Sequence, residues 1–220
     1  PFYSVNEELS PKDVLTAINS GFKQAENEFG IISGLILCGM RHDPDNVKAV
    51  AELAIEYKEM IIGFDIAGPE KNFLPSIYKD SFLKVKNEGI NITIHAGEGD
   101  GVHSIQQALD NGAKRIGHGV RIIEDISDEN ILGDTADYVL QNNIPLEICI
   151  TSNLHTNMYK KPQDHPISRL NNLGFNISLN TDNRLMSNTS IENEIKIAKI
   201  AGIENPSTLL EYSASDSFLN

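Results

Sequence analysis

No apolar run in this chain approaches the roughly 18 residues that a membrane-crossing helix needs, and the first residues lack the basic and apolar blocks of a signal peptide. The expectation is a soluble, cytoplasmic protein. Cysteine is nearly absent: Cys38 and Cys149 each lie inside an apolar strand-like run, where a buried reduced thiol is expected in place of a disulfide or a metal ligand. Positive charge is scarce as well. Lys+Arg total 18 against 31 for Asp+Glu, and the net charge of −13 speaks against a nucleic-acid or anionic-membrane partner while leaving a neutral substrate open. No low-complexity tract, charge block or linker interrupts the 220 residues, so one domain is expected over residues 1–220. No Gly-rich phosphate fingerprint follows any strand, which argues against a doubly wound open sheet.

What is present is a regular alternation. Ser10 as a cap, Pro11 in the first turn, and Val14, Leu15, Ile18, Phe22 and Ala25 at spacings of three and four predict a helix running to Phe29. Apolar strands are expected at 31–40, 61–66, 90–95, 115–118, 146–151 and 175–180. Helices are expected between them at 44–60, 77–86, 103–111, 128–142 and 167–173, and after them near 191–201 and 206–218. Short apolar strands separated by single helices predict parallel strands buried on both faces. The expected fold class is α/β, a TIM-type (β/α)8 barrel that is incomplete, with about six βα units.

Polar clusters stand at the carboxyl ends of four of these strands: His95-Ala96-Gly97-Glu98, Gly117-His118-Gly119, Thr151-Ser152-Asn153 and Asn180-Thr181-Asp182-Asn183. In a parallel α/β protein such ends converge on one rim. A hydrolytic zinc site wants nitrogen and oxygen ligands with one position open to water, and His95 and Asp182 are the candidate ligands. These two residue types also suit other divalent ions. Glu98, three residues beyond His95, can face the same cavity and give or take a proton. His118, between two glycines, suits a base or an oxyanion stabiliser; the plainer reading is a turn histidine bonded to a backbone carbonyl. Asp182 alone would read as a turn cap. His42 follows the first strand and also points to the rim. His165-Pro166 reads as the lead-in to a helix, His155 as a loop residue and His103 as a solvated helix start.

These residues resemble the adenosine deaminase family of the amidohydrolase superfamily. The likeness is carried by Leu37-Cys38-Gly39-Met40-Arg41-His42, Gly63-Phe64-Asp65-Ile66-Ala67-Gly68-Pro69-Glu70, His95-Ala96-Gly97-Glu98, Arg115-Ile116-Gly117-His118-Gly119, Thr151-Ser152-Asn153, His165-Pro166 and Ser178-Leu179-Asn180-Thr181-Asp182, in the family's order across nearly the whole chain. The resemblance implies a zinc-dependent (β/α)8 barrel that converts adenosine or deoxyadenosine to the inosine form with release of ammonia. It further implies His95 and Asp182 as two zinc ligands, Glu98 as the proton shuttle to purine N1, His118 as the residue that orients and stabilises the attacking hydroxide, and Gly68 as the backbone donor to purine N3. Many members carry Asp where Asn183 stands; the Asn183 amide can donate to purine N7 without a proton of its own.

Two departures shape the expectation. The family's first strand carries a His-x-His pair that supplies the other two zinc ligands, and no such pair occurs here. The first strand of this chain corresponds to the family's third, so the chain is expected to be a portion of a deaminase, inactive and weakly metal-binding alone. An unclosed sheet would expose two edges and the barrel interior, and poor monomeric solubility is expected. The alternatives are a relative acting on adenine, a modified adenosine or an adenosine-like futalosine, and a non-catalytic interaction module on the same scaffold.

Overall fold

Six strands pair in parallel, each with the next in the chain: β1 (Ile36–Met40), β2 (Gly63–Ala67), β3 (Asn91–Ala96), β4 (Arg115–His118), β5 (Leu146–Ile148) and β6 (Ile177–Leu179). The computed structural model describes residues 8–219. Its helices are α1 (Pro11–Phe29), α2 (Pro44–Glu56), α3 (Lys79–Asn87), α4 (Val102–Asp110), α5 (Asp134–Gln141), α6 (Ile150–His155), α7 (Ile167–Asn172), α8 (Arg184–Ser187), α9 (Ile191–Ile200) and α10 (Thr208–Ser215). Strands in unbroken sequence order with helical crossovers form a partial (β/α) barrel, as the sequence predicts. No helix among the described residues is long and apolar enough to cross a membrane.

The strands are two-sided. Leu37, Phe64, Ile66, Ile92, Ile94, Ile116, Leu146, Ile148, Ile177 and Leu179 are all buried and belong to one apolar core cluster with residues of the surrounding helices. The alternate positions carry Asp65, Thr93, His95, Arg115, Glu147 and Ser178, and all but Ser178 meet one another across strands. Thr93 Oγ1 donates to Glu147 Oε2 (3.0 Å), and Arg115 Nε lies 2.7 Å from Glu147 Oε1. The inner face is therefore polar and only partly buried, with His95, Arg115 and Glu147 half-buried, whereas the sequence pattern predicts apolar strands buried on both faces. Below it, the Arg115 guanidinium lies 3.8 Å over the Phe218 ring.

Local chemistry sets the boundaries. Ser10 Oγ accepts from Asp13 N (3.2 Å) while Asp13 returns a bond to Ser10 N (3.0 Å), a reciprocal cap in front of Pro11. The first strand is shorter than its apolar run because pairing begins only where a partner exists, at Ile36 opposite Gly63. Two expectations are corrected. The helix expected from 128 begins at Asp134: residues 126–132 form a loop closed by an Ile126–Leu132 bridge, with Asn130 at φ 63° and Asp125 Oδ2 accepting from Ala136 N (2.9 Å). The strand expected through Thr151 ends at Ile148, and Thr151-Ser152-Asn153 lie in α6. There the buried carboxylate of Glu194 accepts from Thr151 N (3.2 Å) and draws the backbone out of the sheet.

The core between α3 and the sheet gives a direct stability contrast. Phe82 is 1% exposed and packs edge-on against Phe64 with ring centroids 5.7 Å apart, whereas its neighbour Leu83 is 52% exposed. In chemical denaturation, Phe82→Ala is expected to cost about 3–5 kcal/mol. Leu83→Ala is expected to stay within about 0.5 kcal/mol.

Candidate active site

The register of β3 and β4 sets Ala96 opposite His118 and His95 opposite Gly117. Gly117 is what makes room for the His95 ring, since a Cβ there would stand 3.0 Å from His95 Nδ1. That nitrogen faces Asp65 Oδ2 at 2.7 Å, and Asp65 Oδ1 accepts from His95 N at 3.2 Å. Burial disfavours a charged His95, but the Asp65 carboxylate, with Glu147 behind it, outweighs burial and raises the ring to about 9. With Nδ1 engaged, Nε2 is the nitrogen left for a ligand or substrate.

After β3 the chain turns through Gly97 at φ 73°, where a Cβ would come within 2.5 Å of Ile105 Cδ1. The turn is held by Glu70, whose buried carboxylate accepts from Gly97 N (2.6 Å), Glu98 N (3.0 Å) and Asp100 N (2.9 Å). Beside it the fully buried Arg41 guanidinium donates to the carbonyls of Ile66 and His95, so β1, β2 and β3 are tied together at the rim.

His118 ends β4 at φ 62°, a conformation that aims its ring inward and that non-glycine residues seldom adopt. Its Nε2 is 3.5 Å from Glu98 Oε2, and its ring meets that of His95 edge-on with centroids 5.1 Å apart. Burial, then the neighbouring His95, push the His118 pKa down against the pull of Glu98, Asp182 and Glu70. Asp182, at φ 55° beyond β6, accepts from Ser152 Oγ (2.7 Å) and from Asn183 N (2.7 Å). Burial opposes its charge, but the Ser152 bond and His118, then the Asn183 amide and His95, hold its carboxyl below the usual range.

His95, Glu98, His118, Asp182 and Gly68 line one cavity of about 410 Å³. Gly68 has φ 102° and presents bare backbone there. Asn183 is not among the lining residues: it is exposed and caps α8, with its side-chain oxygen accepting from Met186 N (3.1 Å). His42, His103 and His155 are exposed and outside the cavity lining. Cys149 is buried and Cys38 half-buried, both are free, and burial pushes both thiols up.

The sequence reading left several of these groups without a role. Glu70, just beyond the end of β2, follows the same strand-end rule as the predicted residues and applying that rule to β2 would have found it, whereas Asp65 sits in the middle of that strand. Asn153 stands out in the sequence only as part of the Thr151-Ser152-Asn153 cluster and His165 only as a helix lead-in, and neither reading gives a role at the site. Asn153 is fully buried, its Nδ2 is 3.2 Å from both Glu98 Oε1 and His118 Nδ1, and its Oδ1 is 3.2 Å from His165 Nε2. His165 does precede a helix, as expected, but its ring is 3% exposed and faces the site.

As a metal centre the set is partial. Among the described residues no group of three or more His, Cys, Asp or Glu side chains is placed to hold a metal ion. His95 and Asp182 are suitable donors, but a catalytic zinc site uses three protein ligands, so these residues do not complete one.

The adenosine deaminase family profile matches residues 1–209. Adenosine deaminase 1 of Streptomyces coelicolor is 42% identical over 207 residues, which cover 89% of this chain and 52% of that protein. Adenosine deaminase of Clostridium acetobutylicum is 37% identical over 223 residues, covering 99% of this chain and 65% of that protein. The chain thus spans between about half and two thirds of the length of these relatives. Among solved structures, the adenine deaminase from Arthrobacter aurescens superposes with a TM-score of 0.85 at 23% identity, covering 96% of this chain and 64% of that one. A zinc-bound amidohydrolase from Burkholderia ambifaria gives 0.86 at 19% identity, covering 97% and 59%. These two likenesses speak to the fold alone, and the sequence match carries the assignment: the chain belongs to the adenosine deaminase family.

Proposed function

We propose that this chain carries most of the active site of a hydrolytic deaminase that converts adenosine or deoxyadenosine, with water, to inosine or deoxyinosine and ammonia. The observation that carries this reading is the cavity in which Glu98 and His118 stand together beside His95 and Asp182. The names of the relatives support adenosine as the substrate. Retention of all four side chains disfavours a bare interaction scaffold.

Deamination at C6 needs an oxygen nucleophile on that carbon, a proton on N1 and departure of the amine. Glu98 has one oxygen held by Asn153 and Thr156 (3.2 and 3.3 Å), while the other is 3.5 Å from His118 Nε2, and the carboxyl opens onto the cavity. That is the placement for a proton at N1, whose protonation offsets the loss of ring aromaticity as C6 is attacked. His118 Nε2, on the same wall, orients the incoming oxygen. Gly68, with no side chain to hold the base away, offers its backbone N–H to N3. Asn183 follows Asp182 directly but stands outside the cavity lining, so its side-chain NH₂ donates to N7 only where the bound base extends beyond that lining, while its oxygen continues to cap α8. Zinc is the cofactor this reading calls for, with His95 and Asp182 as the two donors this chain supplies.

The reading is tested by purifying the full-length protein, quantifying bound metal, and following the ultraviolet change as adenosine becomes inosine, with adenine as comparison. Turnover of adenosine well above adenine is expected. A zinc-loaded protein that converts neither would overturn the proposal. Glu98→Gln is expected to lower kcat by about 10²- to 10⁴-fold with the KM for adenosine little changed. Asn183→Ser keeps a capping oxygen for α8 and removes the amide donor, so the KM is expected to rise about tenfold, the equivalent of one hydrogen bond, with kcat preserved. An unchanged KM would remove Asn183 from the site.

A further inference from the structure

We propose that Asn153, backed by His165, is a positioning pair that fixes the tautomer of His118, so that His118 presents an N–H and not a lone pair to the cavity. Asn153 touches Glu98 and His118 from behind and is not among the residues lining the cavity. It therefore acts through them.

The chain of hydrogen bonds has one unambiguous end. The backbone N–H of Ile167, in the first turn of α7, donates to His165 Nδ1 at 3.2 Å. A backbone amide can only donate, so His165 Nδ1 must carry its lone pair. Burial, then the neighbouring His118, drive the His165 pKa down to about 3, so the ring is neutral and its single proton sits on Nε2. Nε2–H is 3.2 Å from Asn153 Oδ1, which accepts it. That places the Asn153 NH₂ on the opposite side, where its two hydrogens go to the two strong acceptors, Glu98 Oε1 and His118 Nδ1, each at 3.2 Å, ahead of the weakly accepting Met158 thioether at 3.7 Å.

The second anchor is Glu98 itself. Whether ionised or carrying its proton on the cavity-side Oε2, it accepts at Oε1, so it demands the NH₂ end of Asn153 independently of His165. Turning the amide over would set its oxygen against the Glu98 oxygen and its hydrogens against His165 Nε2–H, leaving the buried Asn153 and His165 groups unpaired. Asn153 is 0% exposed and His165 3%, so water does not relieve either mismatch. His118 Nδ1 is thus an acceptor, and in the neutral ring the proton lies on Nε2. Nε2 sits 3.5 Å from Glu98 Oε2, too far for a short bond, which leaves its N–H available to the oxygen that attacks C6. His118 then works as a hydrogen-bond donor to developing negative charge, not as the base that removes a proton at Nε2.

The effect on rate rests on the proposed deaminase reading, but the tautomer does not. The experiment is long-range ¹H–¹⁵N correlation of histidine rings in the full-length protein labelled with ¹⁵N-histidine, alongside steady-state kinetics. The unmodified protein is expected to show both His118 and His165 protonated at Nε2 alone. Asn153→Asp sets an acceptor against His118 Nδ1, so His118 is expected to move its proton to Nδ1 or become charged. With it, kcat for adenosine is expected to fall on the order of 10- to 100-fold while KM changes by less than about twofold. His118 protonated at Nδ1 in the unmodified protein would overturn the proposal. So would an Asn153→Asp protein in which the His118 signals or kcat are unchanged. Should that variant fail to fold, the spectrum of the unmodified protein decides alone. If the protein converts no adenosine yet shows the expected tautomers, the deaminase reading fails and the tautomer assignment stands.

Discussion

Parallel pairing in unbroken sequence order is the constraint from which the rest of this structure follows. Each of the six strands runs the same way as its neighbours, so the chain returns across the sheet after every strand and each carboxyl end emerges on one rim. His95, His118 and Asp182, from the ends of different strands, meet only for that reason. Register then refines the meeting: His95 opposite Gly117 has space for its ring, and Ala96 opposite His118 brings the second ring against the first. A one-residue slip of β3 would send His95 to the helix-facing side and break both relations.

The same alternation divides the barrel wall into two chemistries. Helix-facing positions are apolar and build the core, while the inner positions hold the Arg115–Glu147–Thr93 cluster and the Asp65–His95 pair. Burying charge is costly unless each group finds partners, and here most do so across strands, so the polar interior fixes which strand lies beside which. Glu70 and Arg41 extend the pattern to the rim. One carboxylate satisfies three backbone amides of the loop that carries Glu98, and one guanidinium bridges carbonyls of two strands.

At the site the backbone itself is shaped by function. His118 and Asp182 both occupy left-handed conformations that cost on the order of 1–3 kcal/mol each. They are held there by bonds from other elements: Asn153 to His118, and Ser152 with the Asn183 amide to Asp182. Both Ser152 and Asn153 come from α6, whose first turn begins one residue beyond Cys149 and which is anchored by Glu194 of α9. A short helix placed where a strand continuation was expected is thus what braces two of the strand ends.

The sequence alone determined the βα alternation, the α1 cap at Ser10 and the candidates His95, Glu98, His118 and Asp182, because periodicity, capping and strand-end position are local properties that neighbouring residues settle, while Gly68 came only from the resemblance to the family. Family membership was legible for the related reason that short motifs kept their order along the chain. Tertiary structure decided what each residue touches. Nothing near His165 in the chain indicates that its ring buries against Asn153, nor does anything near Asn153 point to Glu98, 55 residues away, or His118, 35 residues away. The strand that becomes α6 at residue 150, the polar inner face and the Asp65–His95 pair likewise depend on elements brought together by register. Contacts over such separations are selected by the geometry of the whole sheet, and no window of sequence contains it.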